Sequence, residues 1–495
     1  MRDSASPSKI LIALLSATCS VLLVASPLPA LAQCPAVAPD LATELRCVAH
    51  RLPSSRLAVV DSQHRYTLSE LIDLAESSHP STRGAWEQAR AAAEREGLAR
   101  SEYLPHLAGL ATFLNQKFIN PFPKPYAPRG YTMVEMPVAE GGLTVGYTLL
   151  DFGRRHAHLE AARAQALAEA AHFERENQKV AFAVVTAYYR LTDAQQTLAA
   201  RQQILATART IQSAAEEQLA HGQATLPDVL DARAGTAHAE YELEQAVGEE
   251  QTARVELRES LGVPPSDQIQ IQDSPATDTE TQSTESATTL VEEALKMRPD
   301  LAAFSERLRA AGKESDAARS EYMPTIAMNA RGSAQALWPT VSKDGGSYLT
   351  DTAHFVWEAG ITIHWNFFDG GARRSQLALA QAEQRKVSEE QREALDEVTR
   401  ATWTAWVGYR TATRRLHAAQ TLFTAADSSY QASLDAYHYG VKNLIDLVHA
   451  EQQLAEARLA VVEARSALQT ASANLGYTTG TLLRSPMPNQ NGDQK

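Results

Sequence analysis

The chain contains the same unit twice. Residues 100–105 read RSEYLP and residues 319–324 read RSEYMP, 219 positions apart. The flanks keep that spacing: Pro80 precedes Pro299 by 219, Gly142 precedes Gly360 by 218, and Asp151 precedes Asp369 by 218. Further on, Gly222 and Asp228 stand 218 before Gly440 and Asp446. A spacing held over about two hundred residues, with a one-residue slip inside a loop, marks a tandem duplication. Any fold for this chain is one unit built twice.

The first residues carry Arg2 and Lys9, then a mostly apolar run from Ile10 to Val24, then Ala30-Leu31-Ala32. A positive start, an apolar middle and small residues at the cut are the marks of a secretory leader over 1–32. No later stretch is a long uncharged apolar run, so no other helix is expected to span a bilayer. The formal charge is −13, and removing a leader of net +1 leaves −14. Such an acidic exported chain is a poor nucleic-acid binder, because phosphate recognition needs basic patches. Cys34 and Cys47 remain after the leader. In an oxidising compartment a disulfide between them is the favoured expectation. Lipidation of Cys34 is the rival; it needs a small residue before the cysteine, where Gln33 stands.

The expected organisation is an irregular arm over 33–66, a first repeat over 67–263, a polar linker over 264–288, a second repeat over 289–478, and a disordered tail over 479–495. Thr67 and Glu70 have the spacing of a capping box, so a helix starts there, pauses at Pro80 and runs to about Glu102, where Pro105 stops it.

Next the period becomes two. Leu107, Gly109, Ala111 and Phe113 alternate with Ala108, Leu110 and Thr112. Leu143, Val145, Tyr147 and Leu149 form one face, with Thr144, Gly146 and Thr148 on the other. In the second repeat Ile361, Ile363, Trp365 and Phe367 oppose Thr362, His364 and Asn366, and 325–336 carries Asn329, Arg331, Ser333 and Gln335 on its polar side. Strict alternation predicts strands with one apolar and one polar face, long enough to cross a membrane when tilted. Polar loops are expected between them at 116–138 and 338–355. Four strands cannot close a barrel, and lipid forbids open sheet edges, so several chains must contribute. A soluble sheet packed on helices is the alternative.

After each strand pair the period turns helical. From Arg154 to Leu219 there is neither proline nor glycine, which predicts a rod of roughly 100 Å at 1.5 Å per residue. Its seam is Val180, Val184, Ala187, Leu191, Ala194, Leu198 and Leu205. Leu447, Leu454, Val461, Leu468 and Leu475 recur every seven residues, accompanied by Ala450, Ala457, Ala464 and Ala471. Ala232, Ala239, Ala246 and Ala253 repeat that alanine set. A sustained seven-residue period implies left-handed supercoiling. Gly222 and Gly440 each interrupt the run, so each repeat ends in a helical hairpin.

This order resembles the trimeric outer-membrane efflux channels, the TolC-like family. The likeness is carried by the duplication, the two strand pairs, the turns Asp151–Gly153 and Asp369–Gly371, and paired hairpins ending in G-x(5)-D. It implies an α+β membrane protein: four strands per chain, a 12-stranded trimeric β-barrel, and coiled-coil helices forming a periplasmic α-barrel. It implies a passive exit duct in the outer membrane, in contact with lipid. The duct is a homotrimer working with a periplasmic adaptor and an inner-membrane pump in an efflux or type I secretion system.

The resemblance also implies site residues. The hairpin turns that meet the adaptor are Gly222, Thr225 and Leu226 in the first repeat and Gly440, Val441 and Leu444 in the second. The pore constriction carries Asp228, Asp231, Asp446 and Lys442, with His449 where a further aspartate is the family pattern. A ring of such acids attracts cations. Capping is the competing account of Asp228 and Asp446, since acids are favoured at helix N-termini.

No nucleophile elbow, phosphate loop or HExxH pattern appears, so neither enzyme chemistry nor a cofactor is expected. His156 and His158 do not share a helix face, and no metal site is expected there. A periplasmic coiled-coil scaffold without channel activity is the alternative function.

Overall fold

The strand-to-helix junctions explain the repeated hexapeptide. In a computed structural model, residues 64–121, 129–222, 225–264, 269–272, 286–337, 340–343, 346–349, 352–439, 441–442 and 444–483 are described. The leader, Cys34, Cys47, Gly440, most of the linker and the end of the tail lie outside the described residues. The described part divides into a strand unit within residues 93–163 and 309–384, and a helical unit of 64–92, 164–308 and 385–483.

In the first repeat α1 (Leu68–Ser78) starts at Thr67 with the expected capping box, and α2 (Pro80–Ser101) follows. Beyond Pro105 come β2 (His106–Pro121) and β3 (Tyr131–Leu150). Then Asp151 makes the turn into α3 (Arg154–Ala220). Its carboxylate accepts the Gly153 N–H at 3.3 Å, the Arg155 N–H at 3.0 Å and the Arg155 Nε at 2.8 Å. The same guanidinium donates to the Glu102 carbonyl at 3.2 Å and lies 4.9 Å over the Tyr103 ring. The E-Y of RSEYLP is therefore the seat of the arginine that anchors the next helix. The second repeat does it again: Asp369 accepts Arg373 Nε at 2.6 Å, and the guanidinium lies 5.2 Å over Tyr322. Gly153 and Gly371 take φ of 94° and 91°, where a side chain would strain the backbone.

The second repeat supplies α5 (Ala287–Met297), α6 (Pro299–Ser320), β5 (Thr325–Leu337), β6 (Thr340–Lys343), β7 (Gly346–Leu349) and β8 (Thr352–His364). The long strands pair in the order β2-β3-β5-β8, all antiparallel. Two expectations change here. The loops expected at 116–138 and 338–355 are largely strand. β6 continues β5 along β3, with Leu337 opposite Val138 and Thr340 opposite Glu135. β7 likewise pairs β6 in the register of β8 on β5, with Thr340 opposite Leu349 and Leu337 opposite Thr352. Alternation fades there because apolar residues fall on adjacent positions, as at Phe118–Ile119 and Met133–Val134, while backbone pairing needs no alternation. Trp365 and Phe367 lie just past β8 rather than within it.

The two faces of the sheet differ. Opposed pairs share a face, which puts Leu107, Val145 and Ala330 together, and Leu143, Gly332 and Trp357 together. The other face holds Thr144 opposite Arg331, Arg331 opposite Glu358, and an ion pair between Arg331 and Glu140. The hairpin registers of the two repeats coincide: Phe113 faces Ala139 as Gly332 faces Trp357.

The helical unit is built on α3 with α4 (Leu226–Leu261), and on α7 (Ala372–His438) with α8 (Leu444–Thr479). Most of the expected seam is buried, including Val180, Val184, Leu191, Leu447, Leu454 and all four alanines of α4, while Ala194, Leu198, Val461, Leu468 and Ala471 are half-buried. Both second helices end on a left-handed glycine, Gly262 and Gly480. The end of α8 is held from outside: Arg175 donates to the Tyr477 carbonyl at 3.1 Å and Arg298 to that of Thr478 at 3.3 Å. Asp300 bridges the two cations. Part of the linker is structured, because Gln270–Ile271 (β4) pairs in parallel with Arg65–Tyr66 (β1).

Burial pushes the Asp151 pKa up, but the donors from Arg155 and Gly153 outweigh it and hold the carboxyl low; at Asp369 the Arg373 side chain leads the same set. A depressed acid stabilises fully above its unfolded pKa of about 3.9, and that contribution is lost as pH falls through the folded value. Arg155→Ala leaves a carboxylate that is 6% exposed without its cation and should cost about 3–5 kcal/mol. Arg373→Ala should cost distinctly less, since the Asp369 side chain is 22% exposed. Thermal unfolding of detergent-extracted protein, followed by helical circular dichroism near neutral pH, reads both. Equal losses would refute the burial argument.

Candidate functional site

The helix ends at residues 211–232 and 430–450 hold most of the expected site residues, and one small core joins them. Ile211 and Ala215 from α3, Val229 and Ala232 from α4, Tyr437 from α7 and Leu447 from α8 pack together. Beside this core is a groove of about 240 Å³ lined by Thr207, Thr210, Tyr430, Leu434, Tyr437 and Leu447, among others. Both repeats therefore meet at the tips, in the helical unit.

The first tip turns at Gly222, whose φ of 71° fits a glycine ending a helix. Thr225 caps α4 and Pro227 sits in its first turn. Asp228 is the capping partner: one oxygen, Oδ2, accepts the Thr225 N–H at 2.8 Å and the Thr225 hydroxyl at 2.6 Å. These bonds, the hydroxyl's first, hold its pKa below the usual aspartate value. Capping accounts for the position of Asp228, and the group stays ionised at neutral pH. Asp231 follows one turn later and is exposed.

At the second tip the last turn of α7 is closed by Val441 and Lys442, whose N–H groups both reach the Ala436 carbonyl, at 2.8 and 3.2 Å. The Lys442 ammonium folds back onto the hydroxyl of buried Ser433 at 3.1 Å. Asp446 lies in the first turn of α8 and is exposed, as is His449. Leu226, Val441 and Ile445 are exposed apolar residues on these tips, joined by Tyr439.

Sequence reading missed the contact that links the repeats. The Tyr437 hydroxyl donates to Gln218 Oε1 at 2.7 Å, across a separation of 219 residues. The helices here are related by a shift of 218, so Tyr437 corresponds to Leu219 and Gln218 to Ala436, and the bond joins positions one residue apart in the two units. Burial raises the Tyr437 pKa, with the Asp228 charge adding to it, so the phenol remains a donor. No local motif relates the two residues.

Away from the tips, His158 lies 3.5 Å from Glu314, and that partner raises its pKa. Among the described residues no cluster of three or more metal-ligating side chains occurs, and no helix is long and apolar enough to cross a membrane.

Comparisons with known proteins agree on one family. The profile described as outer membrane efflux protein matches residues 71–263 and again 290–481. Protein CyaE of Bordetella pertussis is 29% identical over 434 residues, covering 84% of this chain and 85% of its own. Outer membrane efflux protein BepC of Brucella suis is 24% identical over 341 residues, covering 69% and 72%. A crystal structure of a membrane protein from Pseudomonas aeruginosa superposes with a TM-score of 0.71 at 24% identity, covering 85% of this chain and 93% of that one. The chain thus belongs to the outer membrane efflux protein family, whose members are homotrimeric outer-membrane exit ducts with a periplasmic extension, working with adaptor proteins and inner-membrane pumps.

Proposed function

We propose that three copies of this chain close a 12-stranded barrel above a 12-helix tunnel, and that the hairpin tips form both the pore constriction and the adaptor contact. One observation carries the reading: the four-stranded sheet has, on one face, an apolar band that ends at Asn115, Lys117 and Glu135, and among the described residues its edges β2 and β8 are unpaired. Unpaired backbone groups cost several kcal/mol each in hydrocarbon, roughly, so the edges must be covered by other chains. The leader ending at Ala32 directs export, and no part of the duct consumes energy. Periplasmic scaffolding without a channel is the weaker reading, because it gives no use to an outward apolar sheet face.

In the constriction, Asp228, Asp231 and Asp446 supply negative charge from each chain, with Lys442 and His449 beside them. The closed state is held in each protomer by the Tyr437–Gln218 bond and by Lys442 on Ser433. The adaptor meets Gly222, Thr225, Leu226, Gly440, Val441 and Leu444, and engagement separates the two hairpins. The Asp228 capping box keeps the first turn rigid while the second gives way.

Three measurements test this. Asp446→Ala should weaken cation block of single channels in planar bilayers; unchanged block would leave Asp446 a helix-cap acid only. Tyr437→Phe removes a bond worth about 1 kcal/mol, so open probability should rise about fivefold per protomer. The same closed conductance and lifetime as the parent would remove that bond from the gate. Val441→Asp should abolish efflux in cells while trimers remain in the outer membrane; full efflux would move the adaptor contact elsewhere.

A further inference from the structure

We propose that β8 of one chain pairs with β2 of the next in the register that β3 and β5 already show within a chain. The inference rests on the closed barrel proposed above. Its basis is that the duplication makes the two kinds of seam equivalent. Hairpin β2–β3 carries over to hairpin β5–β8 with fixed shifts: His106 to Thr325 is 219 positions and its partner Gly146 to His364 is 218. Six matching hairpins around a barrel meet at six seams. Three are β3–β5 within chains and three are β8–β2 between chains. Closure demands a definite stagger, and equivalent hairpins meet with equivalent stagger.

Applying the shifts to the observed seam gives the unobserved one. Thr144 opposite Arg331 becomes Thr362 opposite Thr112 of the neighbouring chain. Leu143 opposite Gly332 becomes Ile361 opposite Phe113, and Gly142 opposite Ser333 becomes Gly360 opposite Leu114.

Two observations that did not enter this construction agree with it. First, Ile361 and Phe113 are 66% and 75% exposed in the single chain, and this register sets them side by side on the apolar face. A slip of one residue would put every apolar side chain of β2 on the wrong face. Second, it explains a glycine. A Cβ on Gly142 would lie 2.5 Å from the Ser333 Cβ and 2.7 Å from its Cα, so the neighbouring strand leaves no room for one. Its counterpart Gly360 has nothing within 4 Å. The neighbour that Gly360 must admit is in another chain, and the register names it as Leu114.

The test is disulfide cross-linking in outer-membrane preparations, against a control without added cysteines. Opposed strand residues have Cα atoms about 4.5–5.5 Å apart, within disulfide range, whereas a two-residue slip places them beyond it. The pair T112C with T362C should give several-fold more covalently linked oligomer on non-reducing gels than L110C with T362C or L114C with T362C. Strongest linkage from either slipped pair overturns the register and leaves the barrel standing. Membrane-embedded trimers with no linkage from any pair also overturn it. Absence of outer-membrane trimers in the parent protein instead removes the barrel itself. Independently, Gly360→Val should lower trimer yield several-fold. Gly141→Val, on an interior strand with nothing within 4 Å of its Cβ, should not; equal yields would overturn the explanation of Gly360.

Discussion

Backbone hydrogen-bond groups set the terms for this molecule. A strand edge that faces water is a nuisance, but one that faces hydrocarbon is prohibitive. The sheet of this chain meets that condition on its inner strands, β3 and β5, and leaves it open on β2 and β8. Everything else is compatible with an edge waiting for a partner: the apolar face, the polar face with its Arg331–Glu140 pair, and the large exposed side chains along the rim. The helices inherit the arrangement through the Asp151–Arg155–Tyr103 and Asp369–Arg373–Tyr322 junctions, which fix where each long helix leaves the sheet.

The two copies of the unit agree in backbone and differ in fastening. At the first tip Thr225 and Asp228 close a capping box; at the second Lys442 reaches back to Ser433. At the other end of the helical unit Arg175 and Arg298 hold the last carbonyls of α8, whereas the corresponding end of α4 receives the Ser78 hydroxyl on the Leu261 carbonyl. At the tips each repeat thus pairs one charged group with a hydroxyl, an acid in the first and a cation in the second, whereas at the far ends cations hold α8 and a neutral hydroxyl holds α4.

Much of this was legible because it is periodic. The alternation at 107–113 and 143–149, the seven-residue run from Leu447 to Leu475 and the capping box at Thr67 each reflect one repeated physical demand, and the structure has strands, a buried seam and a helix start there. What stayed hidden lacks a period. β6 and β7 are 4 residues each, too short for a period to show. The parallel pairing of Arg65–Tyr66 with Gln270–Ile271 spans two segments that read as arm and linker. The arginine fastening of α8 joins residues 175, 298 and 477, which no local pattern relates. In the tips, the sequence offered two accounts of Asp228, and its hydrogen bonds to Thr225 show the capping one while leaving its charge in place.

The helices that carry the Tyr437–Gln218 bond are related by a shift of 218, so the first unit has Leu219 where the second has Tyr437, and the second has Ala436 where the first has Gln218. The same bond made in the opposite sense would need a donor at Leu219 and an acceptor side chain at Ala436, and neither residue supplies one. In a ring assembled from six separate identical half-chains, every junction would carry the same pair. Fusing the halves into one polypeptide removes that constraint, so one class of junction can keep a hydrogen bond while the other is apolar. The ring also drops from sixfold to threefold equivalence, and its hairpins become two classes that can respond differently to the same pull.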